Sequence, residues 1–351
     1  MDAVTLKKEE LTDIIVNTCG EKKFRASQVF EWIHKRHVKD YSEMLNVPQK
    51  LKDELATTIP LNVPEIMTVQ ESRIDGTRKY LFKMHDGQMI ESVFMRYKHG
   101  NSVCISSQAG CRMGCRFCAS TLDGLVRNLT AGEMLSQIYQ IERDMNEKVS
   151  NIVVMGTGEP LDNYDNLVRF IELISDEEGM NLSQRNITVS TCGLIPKINE
   201  LAERHLQITL AISLHAPNQK DRAALMPVAN SFEIHDLINT CKNYFDKTGR
   251  RISFEYSLVH GKNDSMDQAD ELSKLIRGIN AHVNLIPVNP IKERDYKAPD
   301  RRNVLAFKER LEKNGINVTI RREMGADIDG ACGQLRKKYN DKVGEEDEDS
   351  R

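Results

Sequence analysis

Three cysteines in CRMGCRFCAS, Cys111, Cys115 and Cys118, are separated by three and by two residues in a chain of 351. A structural zinc site takes four ligands in a tetrahedron, usually as two separated pairs, so a trio is the wrong count for it. A 4Fe-4S cubane has four irons, and three thiolates leave one iron open to bind and reduce something else. In GTGEP, Gly156 and Gly158 let the backbone approach a ligand, and Glu159 can accept hydrogen bonds from an ammonium group. Cys104 lies just before the trio, on the same strand face as Ser106 and Gln108. Cys332 in DIDGACGQL has Gly330 and Gly333 on either side, so its loop can carry the thiol between two positions. Cys19, Cys192 and Cys241 read as small apolar residues.

Composition limits the setting of this chemistry. With 40% hydrophobic and 29% charged residues, the chain can bury one large core with a smaller domain beside it. MDAVTLKKEELTD carries charge of both signs and no apolar run, and nothing later approaches the length of a membrane span. A cytoplasmic protein without membrane attachment is expected, with reduced thiols available as ligands. The net charge of -3 is dominated by the acidic tail GEEDEDSR, which reads as disordered. Between Cys19 and Lys39, Lys22, Lys23, Arg25, Lys35, Arg36 and Lys39 alternate with Phe24, Phe30 and Trp32. Such a mixture serves either a core-facing helix with solvated charges or an RNA-binding surface.

The elements that position these residues follow from periodicity. Residues 5–17, 26–38 and 48–57 have helical spacing, and 64–96 reads as short strands and turns. Apolar strands are expected at 103–108, 151–156, 186–191, 208–214, 252–259, 282–288 and 317–321, with helices near 130–147, 163–177, 195–204, 233–247, 265–278 and 301–314. Alternating strands and helices imply a parallel sheet, here a partial (β/α)6 TIM-like barrel with its site at the C-terminal strand ends. The division expected is a helical domain at 1–63, a β extension at 64–100, the barrel at 101–343 and the tail at 344–351. The trio, GTGEP, Ser190, Ser213-Leu214-His215 and Asn289 then share one rim.

CxxxCxxC with Phe117 before its last cysteine, after the first barrel strand, resembles the radical S-adenosylmethionine (SAM) superfamily. That resemblance implies a 4Fe-4S cluster on Cys111, Cys115 and Cys118, whose open iron is chelated by SAM and whose electron splits SAM to a 5′-deoxyadenosyl radical. It also assigns SAM contacts to Gly158, Glu159, Ser190, Ser213, Leu214, His215 and Asn289. SSQAGCRMGCRFCAS, RNLT, GTGEPLDNYDN, SLHAPN, LMPV, LIPVNP and DIDGACGQL, in order, resemble the RlmN/Cfr family of RNA adenine methyltransferases over residues 6–340. The branch indicated is the dual-specificity one, acting on carbon 2 of an adenosine in 23S rRNA and of the adenosine 3′ of some tRNA anticodons. In the family that the chain resembles a helical N-terminal domain aids RNA binding, which tips the basic and aromatic stretch toward that role.

Carbon 2 of adenine is electron-poor and will not attack the methyl of SAM directly, so a radical route is needed. The family's chemistry implies that Cys332 takes a methyl from one SAM, and that the radical from a second SAM removes a hydrogen from the S-methyl group. The methylene radical adds to carbon 2, the carbon 2 proton leaves, and Cys104 attacks the Cys332 sulfur to release methylated RNA. Glu91 in MIESVFMRY holds the family's proton-acceptor position; an exposed strand carboxylate is the plain alternative. A disulfide reductant and an electron donor such as flavodoxin are expected partners, and a monomer suffices. Two alternatives stand beside this reading: methylation of carbon 8, as in the resistance branch, which has alanine where this chain has Pro160, and a non-catalytic RNA-binding module with zinc on Cys104 and the trio. Arg321, Arg322, Arg336, Lys337 and Lys338 are candidate phosphate contacts.

Overall fold

The computed structural model of the protein describes residues 2–291, 293–328, 335, 336 and 339. Cys332, Lys337, Lys338 and the acidic tail lie outside the described residues.

The first helices are α1 (Lys8–Asp13), running into a π turn, α2 (Phe24–His34) and α3 (Gln49–Thr58). Then come β1 (Glu65–Glu71), β2 (Arg78–Lys83), β3 (Met89–Tyr97) and β4 (Gly100–Cys104), each antiparallel to the one before. A separate hairpin, β5 (Gln108–Gly110) with β6 (Leu125–Asn128), brackets the cysteine trio. The alternating part continues with α4 (Ala131–Met145), β7 (Asn151–Val154), α5 (Tyr164–Ile174), β8 (Ile187–Thr191), α6 (Ile195–Ala202), β9 (Thr209–Ser213), α7 (Gln219–Leu225) and α8 (Ile234–Thr248). It ends with β10 (Ile252–Leu258), α9 (Met266–Leu275), β11 (Ala281–Pro287), α10 (Arg301–Lys313) and β12 (Val318–Ile320).

Apart from the hairpin, all these strands form one sheet in the order β1-β2-β3-β4-β7-β8-β9-β10-β11-β12. From β4 onward every pair is parallel, as strands alternating with helices require. The expected partial barrel is therefore present, and the antiparallel extension continues its sheet across β4. In β10, Ile252, Phe254, Tyr256 and Leu258 are fully buried in the apolar core, contributing about 2 kcal/mol each by leaving water. Period-2 alternation turns Ser253, Glu255 and Ser257 to the opposite face, toward the concave side.

Two elements differ from expectation. The predicted strand 103–108 ends at Cys104, because the chain turns at Ile105–Ser107 to hold the loop after β7. There Gly156 N–H donates to the Ile105 carbonyl at 2.9 Å, and the Ser107 and Gln108 N–H groups both reach the Thr157 carbonyl. Helix α7 was not anticipated; its Asn218 cap accepts from Asp221 N–H at 2.9 Å, one turn after a loop that reads only as polar.

The helical N-terminal part is fastened to the sheet layer by polar contacts. Arg169 on α5 forks onto Glu10 at 2.7 and 2.9 Å. Buried His34 meets the Tyr139 hydroxyl at 2.9 Å, and His37 stacks on the same ring at 4.0 Å between centroids. Burial pushes both imidazoles down to a pKa of about 3, so both are neutral at physiological pH. Among the described residues no helix is long and apolar enough to cross a membrane.

Candidate active site

The C-terminal strand ends surround a cleft with a water-accessible volume of about 260 Å³. Cys111, Cys115 and Cys118 border it, together with Gly158, Glu159, Ser190, Ser213, His215 and Asn289. Elements far apart in sequence thus bring the predicted positions together. Among the expected SAM contacts Leu214 is the exception: its side chain is fully buried in the apolar core and does not border the cleft, and neither Cys104 nor Glu91 lines it.

The cysteine loop is held open by backbone bonds. Cys111 N–H donates to the Gly124 carbonyl at 2.8 Å and Cys118 N–H to the Cys115 carbonyl at 3.1 Å, while the Thr121 hydroxyl reaches both the Cys115 and Cys118 carbonyls. Burial pushes the Cys111 thiol up to about 12 and raises that of Cys115 as well. Such thiols stay protonated until a metal displaces the proton. Among the described residues, no three His, Cys, Asp or Glu side chains converge as ligands of a single ion. The trio borders a cavity without meeting at a point, which suits a cubane that takes each thiolate on a different iron.

GTGEP packs against the turn after β4 too closely for side chains at its glycines. A Cβ at Gly156 would stand 2.6 Å from the Ile105 carbonyl oxygen, and one at Gly158 would stand 2.7 Å from both the Ser107 hydroxyl and the Gln108 Cβ. Gly158 also has φ of +114°, a conformation L-residues avoid. The donor set and the cleft that it borders fit a cluster with a small chelating ligand. Gly158→Ala is expected to cost about 1–3 kcal/mol of stability, because its Cβ meets Ser107 and Gln108 in a backbone conformation that L-residues avoid. Urea unfolding checks this; wild-type stability would contradict it.

Glu159 is oriented by the backbone. Its carboxylate accepts from Leu161 N–H at 3.1 Å and Cys192 N–H at 2.7 Å, while its own N–H donates to the Gln108 side chain at 2.8 Å. Burial raises its pKa, opposed by those N–H donors. His215 is held in the left-handed region at φ +58°, with Phe117 edge-on at 4.8 Å. Its Nδ1 accepts from Ser257 N–H at 2.9 Å, which puts the proton of the neutral ring on Nε2. Burial holds its pKa down at about 3, so His215 offers a donor without charge.

A polar row crosses the inner face of the sheet. The Ser190 and Ser213 hydroxyls are 3.3 Å apart, Ser213 lies opposite Glu255, and Asn284 donates to Glu255 at 2.8 Å. Burial raises the pKa of Glu255, and nearby Arg321 opposes the rise. Glu255 and Arg321 both border the cleft. Glu255 was overlooked in the sequence, although polar alternation in the central strand ISFEYSL marks an inward polar face. Cys192, read there as an ordinary small residue, borders the cleft and packs with Cys115.

Cys104 ends β4 outside the cleft lining, where it packs with Met155, a cleft residue, and with Met324. Glu91 on β3 is buried, contrary to the exposed alternative. It pairs with the fully buried Lys79 at 3.1 Å and accepts from Arg336 N–H at 2.6 Å. Arg336 is itself buried and bonds Asp123 at 3.1 Å, so its guanidinium serves packing and is withdrawn from phosphate contact. Met324 and Arg336 flank Cys332 in sequence, so the chain on either side of that thiol is anchored near Cys104 and near Glu91. In the basic stretch Phe30 enters the core, whereas Phe24 is exposed beneath Arg25, and Arg36 lies 4.5 Å over Trp32.

A family model described as the ribosomal RNA large subunit methyltransferase N-terminal domain matches residues 1–60, and one for the radical SAM superfamily matches residues 105–273. A probable dual-specificity RNA methyltransferase RlmN from Lachnospira eligens is 58% identical over 99% of both chains. Its counterpart from Lachnoclostridium phytofermentans is 59% identical over 98% of this chain and 96% of its own. The crystal structure of a radical SAM methyltransferase from Sphaerobacter thermophilus superposes with a TM-score of 0.91 at 42% identity, covering 95% of this chain and 98% of that one.

Proposed function

The chain belongs to the RlmN family of radical SAM RNA methyltransferases, and from that premise we propose that it methylates carbon 2 of an adenosine in 23S rRNA and of the adenosine 3′ of the anticodon in some tRNAs. The observation that carries this reading is a cleft bordered by three thiols, by Gly156, Gly158 and Glu159 and by a polar inner strand face. Cys111, Cys115 and Cys118 would hold the cluster, and Gly158, Glu159, Ser190, Ser213, His215 and Asn289 the SAM, with Leu214 contributing backbone only. When bound, cluster and SAM supply a 5′-deoxyadenosyl radical, and a second SAM supplies the methyl group.

The chain's own residues do the rest. Cys332 would carry the methyl, and that carbon would link its sulfur to RNA. Glu91 accepts the carbon 2 proton, aimed by Lys79 and by Arg336 N–H, and Cys104 resolves the adduct by forming a disulfide with Cys332. His215 and the strand-end hydroxyls orient SAM without adding charge. Phe24, Arg25, Trp32 and Arg36 present a cationic and aromatic face suited to a phosphate backbone and unpaired bases. A cytoplasmic monomer served by a low-potential donor such as flavodoxin completes the reading.

The test is anaerobic reconstitution with iron and sulfide, then reduction with dithionite in the presence of SAM and a 23S rRNA fragment, with nucleosides read by mass spectrometry. A brown protein yielding 2-methyladenosine is expected. An 8-methyl product would move the chain to the resistance branch, and a colourless protein that leaves SAM intact would overturn the cluster assignment.

A further inference from the structure

Arg222 on α7 is completely buried. Its Nη2 donates to the Cys192 carbonyl at 2.6 Å, while Nε and Nη1 are buried and have no hydrogen-bond partner among the described residues. The groups that it faces electrostatically are the thiols of Cys192, Cys115 and Cys241 and the neutral imidazole of His215. A buried cation without an anionic partner costs several kcal/mol, and each buried donor without an acceptor adds about 1–3 kcal/mol. A negative group beside the guanidinium would offset both.

The segment that carries Arg222 is fastened to the cysteine loop. Arg116 N–H donates to the Leu225 carbonyl at 2.9 Å, and Leu225, Met226 and Cys192 pack with Met113, Cys115 and Phe117. Met226 borders the cleft together with the three cysteines. DRAALMPV thus forms the wall behind the trio, a role that its sequence does not reveal.

We propose that Arg222 is the buried counter-cation of the iron–sulfur cluster, stabilising its reduced, more negative state and so raising its reduction potential. The inference rests on the cluster reading above. A cubane on three thiolates is net negative and gains one further negative charge when an external one-electron donor reduces it. A fixed positive charge at low dielectric favours the more negative form. Arg222 takes no electron and gives up no proton in this step. Burial pulls its pKa down, but a guanidinium starts high enough to stay charged, and a negative cluster beside it would hold a lysine ammonium charged in the same place.

Wild-type, Arg222→Gln and Arg222→Lys proteins, reconstituted anaerobically and matched for iron and sulfide, are compared by redox titration followed by electron paramagnetic resonance. The midpoint potential of Arg222→Gln is expected to fall below wild type, while Arg222→Lys, which keeps the charge, stays with wild type. An unchanged potential in Arg222→Gln overturns the proposal, as does an equal fall in both variants. A wild-type protein that takes up no cluster overturns instead the reading on which the proposal rests. Should Arg222→Gln fail to hold iron, guanidino-15N arginine in an Arg112→Lys, Arg116→Lys, Arg321→Lys background decides. A nitrogen hyperfine coupling at the reduced cluster is expected there, and its absence overturns the proposal.

Discussion

Cys104→Ala protein is expected to accumulate a covalent protein–RNA adduct that survives a denaturing gel, and Cys332→Ala protein to form none. The asymmetry follows from the separate tasks of the two thiols in the proposed sequence. One sulfur becomes bonded to the base through a methylene carbon, and that linkage is released only when a second thiolate attacks the first sulfur. Without Cys332 there is no carrier for the methyl; without Cys104 the carrier is loaded and cannot discharge. Cys104 lies at the C-terminal end of β4, paired with Val93 and Val153 and in one apolar cluster with Met324, eight residues before Cys332 in sequence. Adduct approaching one RNA per active protein is expected in the Cys104 variant, with release of methylated product falling to background. Equal adduct in both variants would sink the assignment of roles.

The strand and helix alternation was legible because parallel strands buried on both faces read as apolar runs, and amphipathic helices carry a separate period. The cysteine trio and GTGEP were legible because few folds need those residue types at that spacing. What could not be read were the residues that hold the site's backbone. Gln108 and Gln137 look like ordinary polar side chains. Yet Gln108 joins Glu159 N–H to the Asp162 and Asn128 side chains, and Gln137 takes up the N–H and carbonyl of Ser106 as well as the Ser92 hydroxyl. Both satisfy backbone groups at a turn where the sheet stops, and a turn of that kind has no periodicity to betray it. Arg222 was hidden for a related reason: a helix of seven residues between two loops is too short for its face to be assigned by period.

Lys79→Met is expected to cost about 3–5 kcal/mol, because it leaves the Glu91 carboxylate buried without the ammonium beside it. The pair is diagonal across β2 and β3, where Leu81 lies opposite Glu91 and Lys79 opposite Val93, so both side chains rise on one face of the extension. Glu91→Gln removes the charge but keeps an acceptor for Arg336 N–H, and the double variant Lys79→Met, Glu91→Gln should therefore recover part of the loss. Urea unfolding of the four proteins gives the coupling energy directly, and simple additivity would show that the ion pair does not stabilise the fold. Glu91→Gln separates that structural contribution from the chemical one. If Glu91 takes the carbon 2 proton, this variant still methylates Cys332 and still joins RNA, but releases product about 100-fold or more slowly. Adduct would then build up with Cys104 intact, a pattern that loss of stability alone does not produce. Release at the wild-type rate would leave Glu91 as one half of a buried ion pair and move proton removal to another group.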